Sequence, residues 1–260
     1  MQFDENRIAI RERAYIDILD LGLCVLREFF GPILLWSIAG VLPFAALNGW
    51  LLWGSFDMDF DSAGLFQYAV WMTLLVIYEI PLATAPVTIY LGHALFTERP
   101  GWRVILREWA RSLPQLLLYQ GLLRLPLAFW PYLNEVILLE RNPMRSRGPQ
   151  GRSTHSRSRA LHRGEGGDAF ARTFLSACVG ATLGTSLWLS LAIVRGMLLN
   201  ELEFDPALVT FYYPLVLWIV VGYLAVVQFL CYLDLRIRRE GWEVELRLRA
   251  EQARLARRLT

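Results

Sequence analysis

The chain has 260 residues, of which 55% are hydrophobic and 13% aromatic, and its formal net charge is only +2. Soluble domains hold about 45–50% apolar residues, and here the apolar residues gather in runs too long for core helices, which argues against a water-soluble globular enzyme and makes the membrane span the unit to count. All 26 basic residues are arginines, and 24 of them fall in four polar blocks. Cytoplasmic loops retain basic residues while translocated loops lose them, so this distribution marks a polytopic membrane protein with a readable orientation.

In chain order, residues 1–28 come first. Apolar Ile10, Ala14, Ile18 and Val25 are interspersed with Arg7, Arg11, Glu12, Arg13, Asp17, Asp20, Arg27 and Glu28, a pattern that suits an amphipathic helix lying in the interface. No cleavable signal peptide is expected, because the first apolar run is too long and lacks a small-residue cleavage site. Residues 29–56 carry no charge and form the first span, with Trp50 and Trp53 near its far end as interfacial aromatics. The next loop holds Asp57, Asp59 and Asp61 without an arginine and belongs outside. Residues 64–95 form a second span, which Glu79, Pro81 and Pro86 predict to be kinked. Arg99, Arg103, Arg107 and Arg111 return the chain to the inside.

Residues 113–139 pose a conflict. A single crossing would put the following loop, 141–172, outside, yet that loop carries eight arginines. The region is too short for two full crossings, and Pro126 and Pro131 break it between Arg124 and Glu135. A re-entrant helical hairpin on the cytoplasmic face reconciles charge with length, and two short tilted helices would do the same. The loop, rich in Gly, Ser and Arg, reads as a mobile linker. Residues 173–194 form the next span, with Ser176, Gly180 and Gly184 at four-residue intervals, the spacing that lets another helix approach closely. Glu201, Glu203 and Asp205 against Arg195 place the following loop outside. Residues 206–233 cross back to a basic tail, 234–260, read as a helix after a break near Gly241 and supported by the pairs Glu243/Arg247 and Glu245/Arg249. The expected architecture is an all-α bundle of four full spans plus the hairpin, with amphipathic helices at both ends. It is expected in the bacterial cytoplasmic membrane with both termini cytoplasmic.

Candidate chemistry is sparse. Glu79 is a carboxylate inside an apolar run, a costly placement that points to pairing or function. Arg124 is its natural partner and Glu135 a second candidate. The three either form an ion-coupled site, with Pro81 and Pro86 supplying broken-helix carbonyls, or a bridge that packs the hairpin against the second span. Gln115, Gln120 and Thr88 read as interhelical hydrogen-bonding groups, and Trp102, Trp109, Trp130, Tyr132, Tyr212 and Tyr213 as interface anchors. Cys24, Cys178 and Cys231 lack paired spacing, and His93, His155 and His162 lack metal spacing, so no metal, cofactor or catalytic residue is expected. The basic tail, through Arg236, Arg238, Arg239, Arg247 and Arg249, has anionic lipid headgroups as its nearest partner rather than nucleic acid, and a membrane or cytosolic protein is the other candidate.

The stretch YLDLRIRREGWEVEL, Tyr232 to Leu246, resembles the segment after the last span of bacterial multi-pass proteins that are similar to the membrane domain attached to some glycerophosphodiester phosphodiesterases. ERP at 98–100 and NEVILLER at 134–141 extend the resemblance more weakly. It implies a helical integral membrane protein and carries no active-site residue over, and the family's catalytic domain is not expected in this chain. His162, Arg163 and Gly164 match the triplet that opens that catalytic site, but they lie in a polar loop without a barrel behind them. The expectation is a non-enzymatic accessory or scaffold component of a membrane assembly, with a small transporter or channel component using Glu79 and Arg124 as the alternative.

Overall fold

Four stretches fold into helices long and apolar enough to cross a membrane: Phe30–Leu52, Ala63–Ala94, Phe170–Leu199 and Leu208–Arg238. Such runs become helices because lipid offers no hydrogen bonds, so each backbone N–H and C=O must bond within its own segment. The computed structural model describes residues 14–53, 62–94, 101–122, 132–140, 154, 158, 166–199 and 206–240, and no strand occurs among them. The elements are α1 (Tyr15–Glu28), α2 (Phe30–Trp53), α3 (Ser62–Ala83), α4 (Ala85–Ala94), α5 (Trp102–Leu116), α6 (Leu133–Glu140), α7 (Gly166–Leu199) and α8 (Tyr213–Glu240). A π-helical turn, Leu117–Leu122, prolongs α5, and another, Leu208–Tyr212, leads into α8.

α1 buries Ile18, Gly22 and Val25, one face at helical spacing, and exposes Asp17, Asp20, Arg27 and Glu28. Its seat is α8: a Cβ on Gly22 would stand 3.1 Å from Val227, and the Tyr223 hydroxyl donates to the Leu19 carbonyl at 3.1 Å. The second span is two helices meeting at Thr84. Pro81 and Pro86 each remove a backbone donor, and the Thr84 hydroxyl bonds the Ile80 carbonyl at 2.7 Å across the break. α2 lies against this break through Gly40, where any Cβ would collide with the Ala83 carbonyl oxygen.

Three boundaries differ from those expected. The hairpin region does not start at Leu113, since that residue lies inside α5, whose buried face of Ile105, Leu116 and Tyr119 runs on into the π turn. Residues 123–131, with Pro126 and Pro131, lie outside the described residues. α7 begins at Gly166 rather than near Thr173, and α8 continues past Leu233 to Glu240, because ion pairs described below hold both extensions. The 141–172 loop is also not free throughout. Thr154 and Ser158 are buried, and the Gln115 side-chain amide donates to the Thr154 hydroxyl at 2.6 Å. Tyr132 is no interface anchor either: it is 1% exposed and packs against Tyr232.

The π turn before α8 displaces backbone carbonyls from their usual partners. Neighbouring helices cap them: Trp188 of α7 donates to the Leu208 carbonyl at 2.9 Å, and Tyr68 of α3 to the Thr210 carbonyl at 3.2 Å. Thr73 and Tyr213 share a hydrogen bond at 2.6 Å beside them.

Candidate functional site

Two buried polar centres stand out. The first lies between α2 and α3, where the Asn48 amide donates to Glu79 Oε2 at 2.7 Å. Asn48 is 0% and Glu79 5% exposed. Met72, Val76 and Ala83 share the Glu79 face of α3, Leu52 lies one turn beyond Asn48, and these residues join Trp218 and Val221 of α8 in one apolar cluster. Asn48 Oδ1 and Trp218 Nε1 are both buried without a hydrogen-bond partner among the described residues. Glu79 is therefore held by a neutral amide. Arg124, its expected partner, lies outside the described residues, and no hydrogen bond or ion pair joins Glu79 to Glu135.

The second centre joins the start of α7 to the end of α8. Arg172 pairs with Asp234 at 2.8 Å and with Asp168 at 3.1 Å, and Arg238 pairs with Asp168 at 3.0 Å. The ring closes as Arg238 Nε faces Asp234 Oδ2 at 3.2 Å, an ion-pair contact without hydrogen-bond alignment. Two guanidinium groups and two carboxylates cancel, and Asp168, in the first turn of α7, also faces the positive end of that helix's dipole. The Asp234 side chain is 5% and that of Arg172 10% exposed, so this pair is desolvated and each charge depends on the other.

Glu135 sits at the start of α6, an eight-residue helix outside the four spans, and is 2% exposed with Oε2 unbonded among the described residues. Burial pushes its carboxyl up to about 8, against a hydrogen bond from its own backbone that favours the charged form. Beside it, burial also raises the Tyr132 hydroxyl. α6 is fixed at its far end by the Tyr232 hydroxyl, which donates to Glu140 at 2.9 Å. His93, near the end of α4, meets Glu108 of α5 at 2.7 Å.

The small-residue row faces α1 through Ser176 and α8 through its two glycines. Ser176 shares a 2.7 Å hydrogen bond with Tyr15, a Cβ on Gly180 would press on Leu224, and one on Gly184 would reach Val220 at 4.0 Å. Of the tail arginines, Arg238 is in the ring and Arg236 is half-buried with an interaction of its own. The Arg239 side chain, Arg247 and Arg249 lie outside the described residues. No group of three or more metal-ligating side chains occurs among the described residues. Asn48, Asp168, Arg172 and Asp234 are the residues that sequence reasoning missed. Only the i, i+4 spacing of Asp168/Arg172 and Asp234/Arg238 signalled any of them.

No protein-family model, curated protein or solved structure matches this chain.

Proposed function

We propose that the chain is a non-enzymatic accessory or scaffold component of a bacterial cytoplasmic membrane that gathers its two most basic segments at one cytoplasmic point. The observation that carries this reading is the Asp168–Arg172–Asp234–Arg238 ring. The arginine-rich loop enters α7 just before Asp168, and the tail leaves α8 just after Arg238, so the ring ties together the roots of segments that hold seven and six further arginines. Gathered charge attracts an anionic partner, a lipid surface or an acidic protein, more strongly than the same charge dispersed.

The topology belongs to this reading: both termini inside, amphipathic helices at the two ends, and a re-entrant hairpin whose first arm is α5 with its π turn and whose second is α6. Two contacts support the hairpin. Glu108 meets His93 at the end of the second span, whereas the Gly121 carbonyl accepts a hydrogen bond from Tyr78 at that span's centre. The segment thus penetrates about half the bilayer before α6 returns to the Tyr232 level. The resemblance to the membrane domain of glycerophosphodiester phosphodiesterases stays within this proposal and adds only the membrane placement.

Photocrosslinkers at positions 157 and 247 in living cells test the gathering. They should capture a common lipid or protein partner, and D168N/D234N should abolish the overlap. Adducts from the two positions that never coincide in the wild-type chain sink the reading.

A second reading, an ion-coupled transporter or channel component, is favoured by Glu79 alone. A membrane-buried carboxylate whose only described partner is an amide, with an unbonded carbonyl and indole in the neighbouring cluster, suits a site that takes up and releases a proton. E79Q should then abolish proton-driven uptake in proteoliposomes while leaving the fold intact; unchanged uptake by E79Q, or none by the wild type, removes this reading.

A further inference from the structure

We propose that α5 carries a binding site for anionic phospholipid headgroups, built from Arg103, Arg107 and Arg111. The proposal deepens the membrane placement above and rests on that topology. The three arginines recur at four-residue spacing and so form one ridge along α5. They point away from the packed side of the helix, where Ile105 and Leu116 are buried and Glu108 reaches His93. All three are exposed, and none forms an ion pair among the described residues. In the same chain, Arg172 and Arg238 are consumed by aspartates, so α5 offers its guanidinium groups where those two residues do not.

A solvated helix face would display such a ridge too, but two further observations point to lipid. A second exposed stripe runs beside the ridge and is apolar: Trp102 is 60%, Leu106 37% and Leu117 52% exposed. Water on both stripes would leave that apolar surface unburied, whereas a bilayer surface accommodates both, acyl chains against one and headgroups against the other. The guanidinium of Arg103 lies over the face of the Trp102 ring, 5.2 Å from its centroid, which ties the charge to an aromatic of the kind that sits at an interface.

Depth agrees with this. Gly121 meets Tyr78 at the centre of the second span, and Arg111 lies ten residues earlier, about 15 Å along a helix. That is half of the roughly 30 Å hydrocarbon core. Arg111 therefore stands at the edge of the acyl region, with Arg107 and Arg103 each a further turn out, at the level of the phosphates. Glu108 gives the same result independently, because its partner His93 closes the second span. A guanidinium fork offers two parallel donors to a phosphodiester, and anionic headgroups add a net charge that zwitterionic ones lack.

The test uses the full chain in phosphatidylcholine nanodiscs doped with photoactivatable phosphatidylglycerol or photoactivatable phosphatidylcholine, with adducts mapped by mass spectrometry. Phosphatidylglycerol adducts should concentrate on residues 102–118 over the zwitterionic probe. R103Q/R107Q/R111Q should reduce them at least tenfold, at about fivefold per arginine near the surface. R103K/R107K/R111K, which keeps the charge, should retain most of them. Equal labelling by the two probes, adducts unchanged in the glutamine triple, or equal loss in both triples overturns the site. R107C in a cysteine-free background, probed with an impermeant maleimide from each face, tests the topology separately. Labelling from outside refutes the topology, while labelling from inside with no anionic preference refutes the lipid site alone.

Discussion

The two buried polar centres solve one problem in opposite ways. Between α2 and α3, a lone carboxylate is held by a neutral amide, Asn48 to Glu79. Between α7 and α8, a buried Arg172–Asp234 pair is closed into a neutral ring by the more exposed Asp168 and Arg238, with Arg172 shared between Asp234 and Asp168. Removing Arg172 leaves the desolvated Asp234 with only the misaligned 3.2 Å contact to Arg238, whereas replacing a carboxylate that faces only an amide leaves a hydrogen bond intact. The ring is therefore built to hold, and the Asn48–Glu79 pair tolerates a change of charge.

The largest effect should come from opening the ring. R172Q leaves Asp234 buried without its 2.8 Å guanidinium partner and should lower stability by about 3–5 kcal/mol, read from thermal unfolding in mild detergent. The double change R172Q/D234N should recover part of the loss, and a loss below about 1 kcal/mol for R172Q would sink the idea that the ring fastens the two spans.

Glu135 sharpens the contrast by pH. Its carboxyl, ordinarily near 4.5, is raised to about 8 by burial, so between those values the unfolded chain releases a proton that the folded chain retains. The stability that this carboxyl contributes is full below 4.5, declines as pH rises toward 8, and is gone above it. The slope cannot exceed about 1.4 kcal/mol per pH unit, or about 3 kcal/mol between pH 5.5 and 8. E135Q should flatten the profile over that window; a mutant profile parallel to the wild type contradicts it.

A smaller effect is expected where two backbones touch. G40A places a methyl group against the Ala83 carbonyl at the break between α3 and α4, and should cost about 1–3 kcal/mol. G180A presses only on the flexible end of Leu224 and should cost less. Equal costs would show that the break can shift to make room.

What the sequence reveals follows the same division. The four spans were legible because lipid exposure imposes long uncharged runs, and the kink at Thr84 because Pro81 and Pro86 remove donors whatever surrounds them. The ends of α7 and α8 were not legible. Asp168, Arg172, Asp234 and Arg238 read as loop and tail charges, and only the partner helix makes them helical and buries Arg172 and Asp234. Asn48 escaped notice for a related reason, since a single amide in an apolar run has no pattern until its acceptor across the interface is known.

The smallest effect should be the most discriminating. Gln at position 79 keeps an oxygen for the Asn48 amide to donate to at 2.7 Å, so E79Q should change stability by less than about 1 kcal/mol. N48L removes the donor and strands the carboxylate in an apolar cluster, so it should cost more than E79Q does. If Glu79 were bridged to Arg124, the order would reverse: E79Q would leave a buried guanidinium unpaired and cost several kcal/mol, and R124Q would cost as much without adding to it. A double-mutant cycle over Glu79 and Arg124 therefore decides between the two arrangements. Coupling near zero keeps Glu79 as a carboxylate held by an amide, while coupling above about 2 kcal/mol makes it part of a second ion-paired clasp and erases the contrast between the two centres.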